Sequence, residues 1–243
     1  MKGVFVTGTD TGVGKTIVVG LLAKYLSDNG FNVVTQKWVQ TGSRDFSGSD
    51  VAEHIRLMGS GGAALRRYQK YMLPYLYTPP VSPHLASQLE NRRTVSCKIK
   101  KYYSFLSRKF DFVIVEGVGG ALVPYDKKNL VIDIARELSL PVLVVAQNKL
   151  GAINHTLLTI EALRRRKRKI LGIVFNNIKK EDRRILKDNP EIVKTLSGEK
   201  VLGVLSWNRN SDRLYEQFIP IGKKIRKEIF TARNKPRQDP QKN

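Results

Sequence analysis

Gly14, Lys15 and Thr16 close the stretch "TGTDTGVGKT", residues 7–16, and that trio of residue types has a specific chemical use. In a glycine-rich turn that opens a helix, backbone N–H groups surround phosphate oxygens, a lysine adds a point charge, and the hydroxyl after it can hold Mg2+. Gly12, Val13 and Ile17 would complete that cradle. The usual spacing has four residues between the first glycine and the Gly-Lys pair, whereas five separate Gly8 from Gly14. The flanks restore the reading, because an apolar run precedes the loop and a helical pattern follows it. Asp10, an acid inside the loop, needs a separate explanation.

Other polar residues stand at the ends of apolar runs, where a parallel sheet presents groups to a ligand. Lys37 ends the second such run, and a lone lysine there is by residue type alone most often an ordinary solvated one. Glu116 ends "FVIVE" and is followed by Gly117, Val118, Gly119 and Gly120, glycines that a plain turn explains less well than a ligand edge does. Asp50 opens "DVAE", which reads as a helix cap with Glu53 three residues on, a role compatible with ligand binding as well. Asn176 and Asn177 follow "GIVF", where an Asn pair is ordinary turn chemistry. "GAIN", Gly151 to Asn154, opens a helix whose first N–H groups suit an anion.

The elements that must position these residues are legible as alternation. Short apolar runs at 3–7, 32–35, 112–116, 141–146, 170–175 and 201–205 suit strands buried on both faces. Ile17, Val18, Leu21, Leu22, Tyr25 and Leu26 recur at helical spacing before Gly30, and Ile153, Leu157 and Ile160 mark a second amphipathic helix. The pattern predicts an α/β fold of three layers, a mainly parallel central sheet flanked by helices. Residues 59–81, rich in Gly, Tyr and Pro, read as an irregular excursion. The expected organisation is one domain over 1–207, then a basic C-terminal helix and tail over 208–243.

Composition narrows the setting. A single cysteine, Cys97, rules out an internal disulfide, and His54, His84 and His155 are too scattered for a zinc cluster, so a reducing, cytoplasmic compartment is expected. The opening "MKGVFVTG" reads against a signal peptide, and no apolar run has spanning length. The net charge is +22, yet the first 60 residues hold six Lys or Arg against five Asp or Glu, so the excess lies away from the glycine-rich loop. "RRRKRK", Arg164 to Lys169, and the tail lack the interleaved aromatics of a nucleic-acid module, which counts against nucleic acid as the main partner.

"FVTGTDTGVGKT" resembles the N-terminus of dethiobiotin synthetases, and the resemblance continues through "QKWVQTGS", "GSDVA", "SPHLAS", "FVIVEGVGG", "PVLVVAQNKLGAINHTLLT" and "GIVFNN" in family order, covering about residues 1–207. Partition and septum-site ATPases of the same fold group carry a signature lysine where this chain has Asp10, so the acid points to the small-molecule synthetase. The resemblance implies a P-loop NTPase fold and a ligase that uses ATP and Mg2+ to turn 7,8-diaminononanoate and CO2 into dethiobiotin, ADP and phosphate. It implies Lys37, Lys15 and Thr11 as catalytic, with Thr11 beside a carbamate and Thr41 against the diamine. Thr16, Asp50 and Glu116 fit the need for oxygen donors to Mg2+, which takes few protein ligands and keeps several waters. By the same resemblance Asn176 and Asn177 read the base, Gly117 to Gly119 border the nucleotide, and Gly151 and Asn154 bind substrate across a homodimer interface.

Two departures stand out. Trp38 replaces the proline that usually follows the catalytic lysine, which loosens the expected path of Lys37. "GVLSWNRN" has Ser206 and Asn208 where the family tends to have proline and leucine, so the base preference is open between ATP and another nucleoside triphosphate. The competing reading is a basic P-loop ATPase that acts as a nucleic-acid-associated switch.

Overall fold

The computed structural model describes residues 2–231. The basic tail beyond them, 232–243, lies outside the described residues. Along the chain run β1 (Gly3–Gly8), α1 (Lys15–Asp28), β2 (Val33–Lys37), β3 (Val39–Gln40) and α2 (Asp50–Met58). Then come α3 (Ser60–Ala63), a 3-10 turn (Ala64–Tyr68), α4 (Gln69–Met72), β4 (Tyr75–Leu76), α5 (Pro83–Leu89) and α6 (Ser96–Lys109). The remainder is β5 (Phe112–Gly120), α7 (Val131–Glu137), β6 (Val142–Gln147), α8 (Ala152–Arg165), β7 (Ile170–Asn177), α9 (Arg183–Ser197), β8 (Val201–Ser206) and α10 (Ser211–Thr231).

Six strands form one parallel sheet in the order β2-β5-β1-β6-β7-β8. Each predicted apolar run is one of these strands, and β1 and β2 bury every residue, as strands covered by helices on both faces must. The chain leaves β1 towards β2 at one edge and later leaves β5 towards β6 on the other side. This change of direction makes the carboxyl ends of β1 and β5 a switch point, the crevice where open α/β sheets bind ligands. Register adds a specific consequence: β2 and β5 pair with Lys37 beside Glu116, 79 residues apart in sequence.

Several boundaries differ from expectation. β5 runs on through Gly120 and β7 through Asn177, so the glycines after Glu116 and the Asn pair sit within strand ends rather than in turns. The excursion expected over 59–81 is built of short helical turns and a two-stranded sheet, β3 with β4, because Leu65, Met72, Tyr75 and Tyr77 are drawn into the core. α10 packs on α1 and β8, burying Leu214, Phe218, Ile221, Ile225 and Ile229 along one stripe.

Candidate active site

The loop between β1 and α1 takes its shape from two glycines. Gly12 and Gly14 have φ of 72° and 89°, a left-handed conformation that side chains resist. Gly14 is required twice over, since a Cβ there would strike the side-chain amide of Asn176. Asn176 in turn donates to the carbonyl of Val13 at 3.2 Å, so the end of β7 holds the loop from below. α1 begins without a side-chain cap, which leaves its first N–H groups free for an anion. Asp10 is engaged within the loop: its carboxylate accepts from the Thr11 N–H at 2.7 Å, and its carbonyl holds the Lys15 ammonium at 2.9 Å. Burial, and then the Lys37 ammonium nearby, lowers the Lys15 pKa to about 8, and a phosphate beside it would supply the missing counter-charge.

Beside the loop lies a polar cluster. Lys37 is 4% exposed, and its ammonium meets Asp50 Oδ2 at 2.6 Å, Glu116 Oε1 at 2.8 Å and the Gly117 carbonyl at 2.9 Å. Glu116 Oε1 also accepts from the Thr16 hydroxyl at 3.1 Å, while Oε2 meets His54 Nε2 at 2.7 Å. Burial works against both charges. For Lys37 the two carboxylates outweigh it and raise the ammonium above its ordinary range. For Glu116 the Lys37 ammonium and the His54 hydrogen bond outweigh it and hold the carboxyl well below the usual range. The pair is charged at neutral pH, and each partner is the reason for the other.

Trp38, which replaces the expected proline, does not loosen this arrangement. Its indole is 1% exposed, stacks on Phe5 with ring centres 5.1 Å apart, and donates to Gln36 Oε1 at 3.0 Å. Gln36 donates onward to the Tyr71 carbonyl at 2.9 Å. Alternation along the strand sends Gln36 and Trp38 to the face opposite Lys37, and their anchoring fixes the backbone that carries it.

Asp50 also behaves differently from its expected role as a cap. Ser49 caps α2, accepting from the Ala52 N–H, and Asp50 is the first helical residue. Glu53, the other half of the expected capping box, pairs with Arg56 instead. The Asp50 carboxylate is thereby left to face Lys37.

A cavity of about 590 Å³ joins these groups. Its walls include Thr11, Gly12, Gly14, Lys15, Thr16 and Ile17 from the loop, with Lys37, Thr41, Asp50, Glu116, Val118 and Gly119 from other elements. Val13 is buried behind the loop, and Gly117 contributes its carbonyl to Lys37. Asn176 and Asn177 lie outside the cavity wall. Asn177 donates to the Ser206 hydroxyl at 3.1 Å, and its Oδ1 is buried with no partner among the described residues. Gly151 and Asn154 are exposed at the start of α8, away from the cavity, among the exposed side chains of Leu150 and Leu158.

Sequence reading misses four contributors. Gln40 lines the cavity and accepts from the Asp50 N–H at 3.1 Å. Ser82 and Pro83 line it at the start of α5, within the "SPHLAS" segment. His54 reads in the sequence as one of three scattered histidines, although its spacing of four from Asp50 puts both on one helix face.

The hydroxyl of Thr16 and the carboxylates of Asp50 and Glu116 are hard oxygen donors on one cavity wall. Among the described residues no group of three or more His, Cys, Asp or Glu could hold a metal by itself. A set so small fits a cation that completes its shell with water and phosphate oxygens.

Comparison with known proteins gives the family. A family model described as an AAA domain matches residues 2–214. The ATP-dependent dethiobiotin synthetase BioD 2 of Haemophilus ducreyi is 39% identical over 186 residues, 76% of this chain and 87% of that protein. BioD of Chlorobaculum tepidum is 39% identical over 195 residues, covering 79% of this chain and 81% of its own. BioD of Bacillus cereus is 37% identical over 205 residues, 84% and 83% of the two chains. Among solved structures, a plasmid partition protein from Borrelia burgdorferi superposes with a TM-score of 0.59 at 18% identity, over 96% of this chain and 98% of that one. The cell division ATPase MinD of Pyrococcus furiosus gives 0.59 at 16%, over 93% and 99%. At such identities the ATPases share the fold alone, whereas the curated relatives share sequence along most of their length, and the chain belongs to the ATP-dependent dethiobiotin synthetase family.

Proposed function

We propose that this protein is an ATP-dependent dethiobiotin synthetase, a ligase that closes the ureido ring of dethiobiotin from 7,8-diaminononanoate and CO2. One amine of the substrate captures CO2 as a carbamate with loss of a proton. The carbamate oxygen attacks the γ-phosphorus, and ADP leaves. The second amine attacks the carbonyl carbon of the mixed carbamic-phosphoric anhydride, and phosphate leaves. The observation that carries this reading is the buried Lys37 ammonium, set between two carboxylates on the wall of the cavity that the phosphate-binding loop also lines.

Each residue has a task in that sequence. The loop N–H groups and the start of α1 hold the nucleotide phosphates, and Lys15 neutralises their β and γ oxygens. Lys37 stabilises negative charge on the carbamate and on the phosphoryl group in transfer, where fixed charge in a dry site is worth most. Thr11 and Thr41 orient the carbamate and the diamine. Thr16, Asp50 and Glu116 would hold Mg2+, which supplies electrostatic neutralisation of the phosphates when bound. Asn176 and Asn177 have the task of reading the base, with ATP the expected nucleotide. Gly151 and Asn154 serve the site of a second copy, the substrate carboxylate meeting the free N–H groups at the start of α8, so the working form is a homodimer. Its setting is the cytoplasm; among the described residues no helix is long and apolar enough to cross a membrane.

The test is to incubate the purified protein with diaminononanoate, bicarbonate, Mg2+ and each nucleoside triphosphate in turn, and to look for dethiobiotin by mass spectrometry. Product that needs every component, with ATP the best donor, is expected. Absence of product with any nucleotide, from folded protein that binds nucleotide, would overturn the assignment.

A further inference from the structure

His54 sits in the third position of a chain that runs from the cavity into the core, and the chemistry proposed for the site does not call on it. Its side chain is fully buried, and among the described residues its one hydrogen bond is from Nε2 to Glu116 Oε2 at 2.7 Å. Because Glu116 is a carboxylate and only accepts, the hydrogen sits on Nε2. The other ring nitrogen, Nδ1, is buried with no partner among the same residues. An unpaired buried polar atom costs about 1–3 kcal/mol. The other residues that α2 buries nearby, Val51, Ile55 and Met58, are apolar, and a leucine would pack there without that cost.

What the imidazole supplies is direction. Glu116 divides its two oxygens: Oε2 faces inward to His54, and Oε1 faces the cavity, taking the Thr16 hydroxyl and the Lys37 ammonium. A carboxylate with one oxygen tethered keeps its plane, and so keeps the other oxygen aimed at the ligand. The tether also comes from the element that carries the other acid. Asp50 and His54 lie one turn apart on α2, about 6 Å along its axis and on the same face. One helix therefore sets the Asp50 carboxylate directly and the Glu116 carboxylate through His54.

We infer that His54 is a positioning residue for the divalent cation: its Nε2–H fixes the Glu116 carboxylate, and with Asp50 it makes α2 the ruler that spaces the two acidic ligands. The inference rests on the assignment of Thr16, Asp50 and Glu116 to Mg2+ made above. Groups behind a metal ligand typically change metal affinity by about 10- to 100-fold when removed.

The experiment is calorimetric binding of a non-hydrolysable ATP analogue, with the metal chelated and then across a Mg2+ series, for the wild type and for His54→Leu, His54→Asn and His54→Gln. The Gln side chain can place an N–H near the position of Nε2, the Asn side chain is too short, and Leu fills the space without a donor. Without metal, all four proteins should bind the analogue within about twofold of one another. The Mg2+ concentration that gives half of the metal effect should rise about tenfold or more in the Leu and Asn variants and stay within about threefold of wild type in Gln. Leu and Asn midpoints that match wild type would overturn the inference, and so would a Gln midpoint displaced as far as theirs. Should the Leu variant fail to fold, the contrast between Asn and Gln decides the same question. A wild type that ignores Mg2+ would sink the metal assignment and this inference together, whereas a wild type that responds while the variants track it would remove His54 alone.

Discussion

At the scale of single residues, the chemistry depends on a lysine that burial alone would discharge. Lys37 keeps its proton because Glu116 and Asp50 outweigh the cost of burial. Lys37→Ala should lower turnover by about a hundredfold or more, the usual loss on removing a charge aimed at the reacting group. The loop is a separate structure, so binding of nucleotide to the variant, followed by calorimetry, should persist within a few-fold. Near wild-type turnover would take Lys37 out of the reaction. Removing the ammonium also strips a buried carboxylate of its main partner, a change that costs about 3–5 kcal/mol in buried pairs. Lys37→Gln, which keeps a donor, should therefore be the more stable of the two and just as slow. Of this cluster the sequence reveals Lys15, Thr16 and Glu116 by local pattern, because loop glycines and strand ends are local features. Lys37 alone looks like any solvated lysine, and what distinguishes it is the pairing of β2 with β5, a contact between segments 79 residues apart. His54 is hidden for a similar reason: its partner is reached across the fold, and only the spacing from Asp50 hints at it.

At the scale of elements, the parallel sheet is legible because fully buried strands need unbroken apolar runs, and each run from "GVFVT" to "VLGVL" became a strand. The excursion at 59–81 is not legible in the same way, since its short turns owe their form to the side chains they bury rather than to any period of their own. The start of α2 shows how one residue changes a functional reading. With Ser49 as the cap, Asp50 is free for the site, and the Ser49 hydroxyl both accepts from Ala52 and donates to the Phe46 carbonyl. Ser49→Ala should cost about 1 kcal/mol in denaturant unfolding, the ordinary worth of such a cap. Ser49→Asn, another good cap, should recover most of it. Equal stability of the Ala variant and the wild type would return the cap to Asp50 and remove the claim that this carboxylate is free to face Lys37.

At the scale of the whole molecule, the surface is divided between charge and a small apolar region. Some of the basic residues are paired within the chain, as in the contacts of Arg164 with Glu199 and of Lys200 with Glu228, each joining distant elements. The apolar region is different in kind. Leu150 is 77% exposed, Leu158 56% and Leu122 50%, and a hollow between Leu122 and Leu158 is bordered by Thr9 and Asp10 of the loop and by His155 of α8. A contact between two copies about a two-fold axis would use this face on both, so that every substitution counts twice. Burying a leucine is worth about 1.5–3 kcal/mol, and Leu150→Asp with Leu158→Asp would remove four such side chains from the contact and introduce four charges. Sedimentation of that double variant should show monomer where the wild type shows dimer. Its turnover should fall by about tenfold or more, because the start of α8 would no longer reach a neighbouring site, while nucleotide binding should hold, because the loop and its lysine belong to one chain. A double variant that stays dimeric would move the interface elsewhere on the surface. A monomer with full turnover would show instead that Gly151 and Asn154 have no part in binding substrate, and that each chain completes its own site.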